Sequence, residues 1–396
     1  MGRLLQAFQG TTDVFAIYLG HRLGFYAALW KHGPLRSSEL ASRTASHERY
    51  AREWLEQQAA TGILTVDDAT KDAGTRRFAL PPGHAEVLAD AESLTYLTPL
   101  AQAFGAVARK SDELVAAYRS GGGVSWAEFG QEAREAQAAQ NKPLFLGPLA
   151  HDLLPAIPDV HARLAADPPA RVADIACGFG WSSIGIAKGY PKVRVDGFDL
   201  DAPSIAAATA NAQEHGVAHR VRFETRDAGD PTLAGRYDLV TIFEALHDMS
   251  QPVEVLRAAR RMLTDGGTML VIDEKTDELF TAPGSDLDKL FYGFSLMVCL
   301  PDGMSRSPTA ATGTVMRPAT LRTYAQAAGF RDIESLPIDA GFFRFYRLLT
   351  QPPPAHLDRL PPEERVGVGL TPARDRALVR IDKKPLHEQG AGQKTA

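Results

Sequence analysis

The sequence predicts an α/β fold: a mainly helical part followed by an alternating β/α sheet. Three observations carry that prediction. Short apolar runs rich in β-branched and aromatic residues recur between helical stretches from residue 171 to 273. Two more runs, DIESLPI and GFFRFYRLL, follow as an antiparallel pair for the sheet edge. Before residue 94 the pattern is helical with one short hairpin.

Residues 1 to 31 read as helical, with Phe15, Tyr18, Leu19, Leu23 and Phe25 to Leu29 giving more apolar surface than one exposed helix carries. From 33 to 93 three short helices and a hairpin are expected. Pro34 opens the segment, Ser37 or Ser38 caps a helix starting near Glu39, and Ser46 caps the next. That helix, HERYAREWLEQQAATG, spaces Tyr50 and Trp54 four apart and stops at Gly62. ILTVDD and RRFAL then form a small wing, so residues 1–93 read as a winged helix-turn-helix unit suited to dimerisation. Binding to DNA would need a net positive recognition helix. Here Arg49 and Arg52 are offset by Glu48, Glu53 and Glu56, so a structural role is favoured and no nucleic acid is expected.

Residues 94–165 read as further helices, broken at Gly121 to Gly123 and closed by Pro155 and Pro158. VADIA, VRVDGFD, VRFET, YDLVTIF and TMLVID are the buried parallel strands of a domain over 166–350. The segment 276–316 is an insert after the fifth strand. Residues 351–396 hold seven prolines, eight Lys or Arg and six Asp or Glu, as in a flexible or loosely docked tail. Folding of that tail over the site is the alternative.

Composition narrows the class. The 396 residues carry 48 acidic and 43 basic side chains, a formal charge of −5, and 44% hydrophobic residues, as in a soluble globular protein. Cys177 and Cys299 can build neither a disulfide framework nor a four-ligand zinc site, which suits a reducing, cytoplasmic compartment. The opening MGRLLQAFQG lacks an export signal and no apolar run nears the roughly 20 residues of a spanning helix, so no membrane association is expected. No His or Cys pair has metal-ligand spacing, so no metal is expected.

The informative motif runs from Asp174 through Ala176, Gly178 and Gly180 to Ser183, after the first strand of the sheet. Glycines there let the backbone turn tightly and approach a ligand. A nicotinamide site would favour a third glycine where Ser183 stands. The second strand ends at Asp199 and Leu200, about 20 residues on, where a carboxylate can accept both ribose hydroxyls. The third ends near Asp227 and Ala228, within reach of an adenine amino group.

These residues resemble the class I S-adenosylmethionine-dependent methyltransferases, whose first loop reads acidic-x-Gly-x-Gly-x-Gly. Asp174, Gly178 and Gly180 match, with Ala176 replacing the first glycine. The resemblance implies a Rossmann-like seven-stranded sheet binding S-adenosylmethionine and releasing S-adenosylhomocysteine. Asp174 to Gly180 would cradle the methionine end, Asp199 with Leu200 the ribose, and Asp227 with Ala228 the adenine, with Phe243 also at the cofactor. A winged helix in front is similar to small-molecule O-methyltransferases of plants and bacteria, in which the N-terminal part supplies dimer contacts and part of the substrate pocket. The expectation is a homodimer acting in secondary metabolism.

By the same resemblance His247, after the strand YDLVTIF, is the general base, and Glu274, after the fifth strand, orients it. Asp248 competes for that role, as does Asp273 if the register shifts by one. A purely structural His247 is the alternative. Phe291, Phe294, Met297 and Val298 on SDLDKLFYGFSLMVCL, with Ser285 as cap, are expected to line an acceptor site or to pack in the core. Tyr18, His21, Phe25, Trp126 and Phe145 are expected in the opposite wall. The predicted activity is methyl transfer to an aromatic or secondary-metabolite hydroxyl. Transfer to carbon or nitrogen remains open, as do a non-methylating S-adenosylmethionine-binding protein and a winged-helix regulator.

Overall fold

The first 31 residues form two helices, α1 (Gly2–Arg22) and α2 (Phe25–His32). α3 (Ser37–Arg43) and α4 (Glu48–Ala60) follow. Their caps differ from the expected serines. The Arg36 N–H donates to Glu39 (2.8 Å), and His47 Nδ1 accepts the Arg49 N–H (3.2 Å). Ser37 donates instead to Glu48 (2.5 Å), which commits its hydroxyl to tying α3 to α4. β1 (Thr65–Val66) and β2 (Phe78–Ala79) pair antiparallel as the wing, and α5 (Pro82–Leu88) closes the unit. Its core centres on Trp54, whose ring meets Phe25 and Tyr26 edge-on and whose Nε1 donates to the Ala16 carbonyl (2.8 Å). On the outer face Arg49 pairs with Glu53 (2.5 Å) and Arg52 with Glu48 (3.5 Å).

In this computed structural model the described residues are 1–227, 230 and 232–350, so the expectations for Ala228 and for the 351–396 tail lie outside them. α6 (Thr98–Ala108), α7 (Ser111–Ser120), α8 (Trp126–Leu146) and α9 (Pro158–Ala165) bridge to the sheet. Pro158 opens α9 rather than closing a helix, since its fixed φ and missing N–H suit a first turn. α8 kinks at Gly130 (φ 83°, ψ −171°), which turns its second half along the mouth of the sheet.

The sheet then builds from β3 (Arg171–Ile175), α10 (Trp181–Gly189), β4 (Arg194–Asp199), α11 (Ala202–Glu214), β5 (Val221–Thr225), β6 (Tyr237–Phe243), α12 (Pro252–Met262) and β7 (Leu263–Glu274). The insert carries α13 (Asp286–Phe294) and the short α14 (Leu300–Gly303). α15 (Pro318–Ala327), β8 (Asp332–Ser335) and β9 (Phe343–Leu349) complete it. Strand order is β5-β4-β3-β6-β7-β9-β8, with β3 to β7 parallel and β9 antiparallel to both neighbours. Core residues such as Val172 and Ile184 fill one face, and Ile175 and Leu256 the other. The order reverses between β3 and β6, which opens a crevice at their carboxyl ends.

Candidate active site

A cavity of about 530 Å³ occupies that crevice. Its floor is the loop after β3. Ala176 takes φ 57°, a left-handed conformation that glycine adopts without penalty, which accounts for a glycine preference there. At Gly180 (φ 78°) a Cβ would fall 2.5 Å from the Phe223 ring, so no larger residue fits. Asp174 is buried under the loop and accepts hydroxyls from Ser182 (2.6 Å), Ser183 (2.6 Å) and Thr241 (2.8 Å). Burial raises its pKa, and the three hydroxyls oppose that.

Ala176, Gly178, Asp199, Leu200, Asp227 and Phe243 line the cavity. Asp174 and Gly180, expected in the cradle, do not; they shape the loop from behind. Asp199 accepts the N–H groups of Gly178 (2.9 Å) and Asp201 (2.9 Å), while burial raises its pKa. Asp201 caps α11 and takes both arms of a bidentate contact from Arg134 on α8 (2.7 Å each). Arg134 had no local signal, because it lies 67 residues from its partner.

Around the other end His247 is 2% exposed. Its Nδ1 donates to Asp273 Oδ1 (2.9 Å) and lies 3.0 Å from Glu274 Oε2, so both neighbours in the sequence flank that nitrogen. Nε2 lies 3.2 Å from Asp248 Oδ1. Burial alone would lower the imidazole pKa. The three carboxylates outweigh it and hold His247 well above the usual 6.5. For the carboxylic acids burial acts the other way and pushes Glu274 up to about 7 and Asp302 up to about 7. Glu244, at φ 54° on the end of β6, is raised well above its ordinary value by burial and by Glu274.

Trp126, Phe145, Phe291, Phe294 and Val298 line the same cavity, with Phe145 stacked on Phe243 (5.7 Å) and Phe294 on Phe104 (5.5 Å). Tyr18, His21, Phe25 and Met297 are not in the lining. The Tyr18 ring packs on Gly105, His21 bonds Gln102 (3.0 Å), Phe25 sits in the core around Trp54, and Met297 is half-buried beyond the wall. α1 packs along α6, which separates its side chains from the crevice. Glu244, Asp302 and Phe129 are lining residues that the sequence reading left without a role. Glu244 had a signal, its strand-end position. Asp302 had none, because α14 reaches the site only through the tertiary path of the insert.

Residues 166–298 match the family model of a methyltransferase domain, and residues 13–90 that of an Rv2258c-like winged HTH domain. The chain thus carries a methyltransferase domain behind a winged helix-turn-helix domain, on a Rossmann-like seven-stranded sheet. It is 38% identical over 103 residues to a ubiquinone biosynthesis O-methyltransferase of Marinobacter nauticus, covering 26% of this chain and 42% of that one. The match spans less than half the length of that curated relative. Among solved structures it is similar to the mitomycin 7-O-methyltransferase MmcR, with TM-score 0.66, 22% identity, and 88% and 97% of the two chains covered. Human N-acetylserotonin methyltransferase in complex with SAM matches at TM-score 0.61 and 18% identity, again over 88% and 97%. At these identities the structural likenesses speak for the fold. Among the described residues no helix is long and apolar enough to cross a membrane.

Proposed function

We propose that the chain transfers a methyl group from S-adenosylmethionine to a hydroxyl of a small, partly aromatic acceptor. The observation that carries this reading is one continuous cavity joining the Asp199 and Asp227 strand ends to a buried histidine flanked by carboxylates. The loop fits the cofactor: left-handed backbone at Ala176 and Gly178 keeps the floor low, and Asp199 presents a carboxylate to the cavity. Ala176, Gly178, Asp199, Leu200, Asp227 and Phe243 would hold it. When bound, the cofactor supplies an electrophilic sulfonium methyl.

His247 supplies the acid–base chemistry. With Nδ1–H fixed by Asp273 and Glu274, the neutral ring presents the Nε2 lone pair, which takes the acceptor's hydroxyl proton as oxygen becomes nucleophilic. Asp248, 31% exposed, lies 3.2 Å from Nε2 and adds to the negative charge that stabilises the imidazolium. Phe145, Phe243, Phe291 and Trp126 exclude water from the line of transfer.

Calorimetric titration with S-adenosylmethionine and S-adenosylhomocysteine should give micromolar binding that Asp199→Ala weakens about tenfold or more. His247→Ala should cut turnover about 10²-fold while leaving cofactor affinity nearly unchanged. Absence of binding would remove the cofactor reading. Unaltered turnover in His247→Ala would remove the base and turn attention to carbon or nitrogen acceptors.

The working unit in this reading is a homodimer. α1 exposes Leu4, Leu5, Phe8, Phe15 and Leu19, a row that a second copy would cover. A reducing, cytoplasmic setting suits the free Cys177 and Cys299.

A further inference from the structure

The acceptor half of the cavity has an apolar wall and an acidic rim. Trp126, Phe129, Phe291, Phe294 and Val298 form the wall. Glu244, Asp248, Glu274 and Asp302 face the same space. The cations that also line the cavity are largely committed elsewhere. Arg134 is held bidentate by Asp201, and Arg226 is held by Asp230 (2.9 Å) and Glu224 (3.3 Å). Arg306 lines it from an exposed position, where solvent screens its pull on Asp302. One further observation points to a ligand. Thr314, 2% exposed, lines the cavity with its hydroxyl lacking any partner among the described residues. A buried hydroxyl left unsatisfied costs about 1–3 kcal/mol, so a polar atom of a bound molecule is its natural partner.

We infer that the acceptor carries a protonated amine on its aromatic body, and that Asp302 and Asp248 hold this amine while the acceptor hydroxyl meets His247. The inference rests on reading this cavity as the acceptor site. Asp302 is fixed for the task, because its Oδ1 accepts the Trp126 N–H (2.7 Å) at the start of α8. Asp248 is adjacent, since the backbone of Gly303 packs against it. The sulfonium cofactor and a protonated His247 add positive charge, and the side chains of four acidic residues line the same cavity. Burial raises Glu244, Glu274 and Asp302, and an ammonium group beside them draws these acids toward their charged forms, whereas an acceptor carboxylate would push them further toward protonation. The amine-bearing phenol is thus the class that the site recognises, and the phenolic acid the class that it rejects.

The test uses the full-length protein saturated with S-adenosylhomocysteine and a length-matched pair of phenols, tyramine and 3-(4-hydroxyphenyl)propanoate, titrated at equilibrium. Binding rather than turnover is read, so the result does not depend on which atom is methylated. Tyramine should bind about tenfold or more tighter than the acid. Asp302→Asn, which keeps an oxygen for the Trp126 amide, should shrink that gap severalfold while leaving S-adenosylhomocysteine affinity unchanged. Asp248→Asn should shrink it independently. Equal affinities, a preference for the acid, or no binding of the amine would overturn the inference. Failure of S-adenosylhomocysteine itself to bind would instead overturn the cofactor reading beneath it.

Discussion

His247 shows how a residue's chemistry follows from what surrounds it. Burial opposes a charged imidazole, yet Asp248, Asp273 and Glu274 lie within 2.9 to 3.2 Å of its nitrogens and reverse the balance. The neutral, proton-accepting form is therefore populated only above the usual imidazole range. Methyl transfer should rise with pH along a limb whose midpoint lies above 6.5. Glu274→Gln removes one of the charges that stabilise the imidazolium, so the limb should move to lower pH. The rate on the high-pH plateau should fall about tenfold or more, because the ring is less firmly oriented. A pH–rate profile on both proteins measures this; a limb that stays in place would mean Glu274 does not act on His247.

The loop between β3 and α10 is an element whose path is dictated by a few small residues. Ala176, Gly178 and Gly180 all have positive φ, and Asp174 anchors the loop by collecting hydroxyls from α10 and β6. Gly180→Ala would force a Cβ to within 2.5 Å of the Phe223 ring and 3.0 Å of Ala208. The floor would have to shift, and affinity for S-adenosylhomocysteine should drop at least tenfold, with a loss of stability of about 1–3 kcal/mol. Calorimetric binding with thermal unfolding checks both, and unchanged affinity would show that the floor tolerates displacement. The insert is held by a different device. Arg317 pairs with the buried Asp288 (2.9 Å) and donates to the Asp277 carbonyl, which ties α13 to the start of α15. Arg317→Ala leaves Asp288 buried without its counter-charge. The acceptor KM should rise severalfold while cofactor affinity stays near that of the parent, since the insert bears the acceptor wall. Equal losses for both ligands would mean that the insert supports the whole cavity.

At the scale of the molecule, the sheet places the strand-end residues proposed to hold the cofactor, and the helical part roofs the cavity. α8 crosses the crevice, kinks at Gly130, and fixes itself to α11 through the Arg134–Asp201 contact, whose side chains are 8% and 10% exposed. The apolar row on α1 is exposed. Light scattering of the purified protein should report a dimer, and Phe8→Glu combined with Leu19→Glu should shift it to monomer. A monomeric parent would end the dimer proposal.

The strands were legible from the sequence because buried parallel strands need continuous β-branched and aromatic runs, and VADIA, VRVDGFD and YDLVTIF stand at β3, β4 and β6. The loop after β3 was legible because tight turns need small residues at fixed spacing, and the position of Asp199 at the cavity was legible from its distance to them. His247 and Glu274 came from the family resemblance, and the fold sets both at strand ends beside the cavity. Other features depend on contacts between distant segments, which leave no local pattern. Whether Asp273 or Glu274 faces the histidine could not be chosen by register, and the fold brings both to Nδ1. The wall was only partly legible, since apolar helices such as α1 and α13 bury side chains against core or cavity with the same periodicity. Packing of α1 on α6 removed Tyr18 and His21, and Met297 sits on the π-helical continuation of α13, outside the lining. Asp302, Glu244 and Arg134 acquire their roles solely from tertiary approach. Charge acts through space, and the sequence records only distance along the chain.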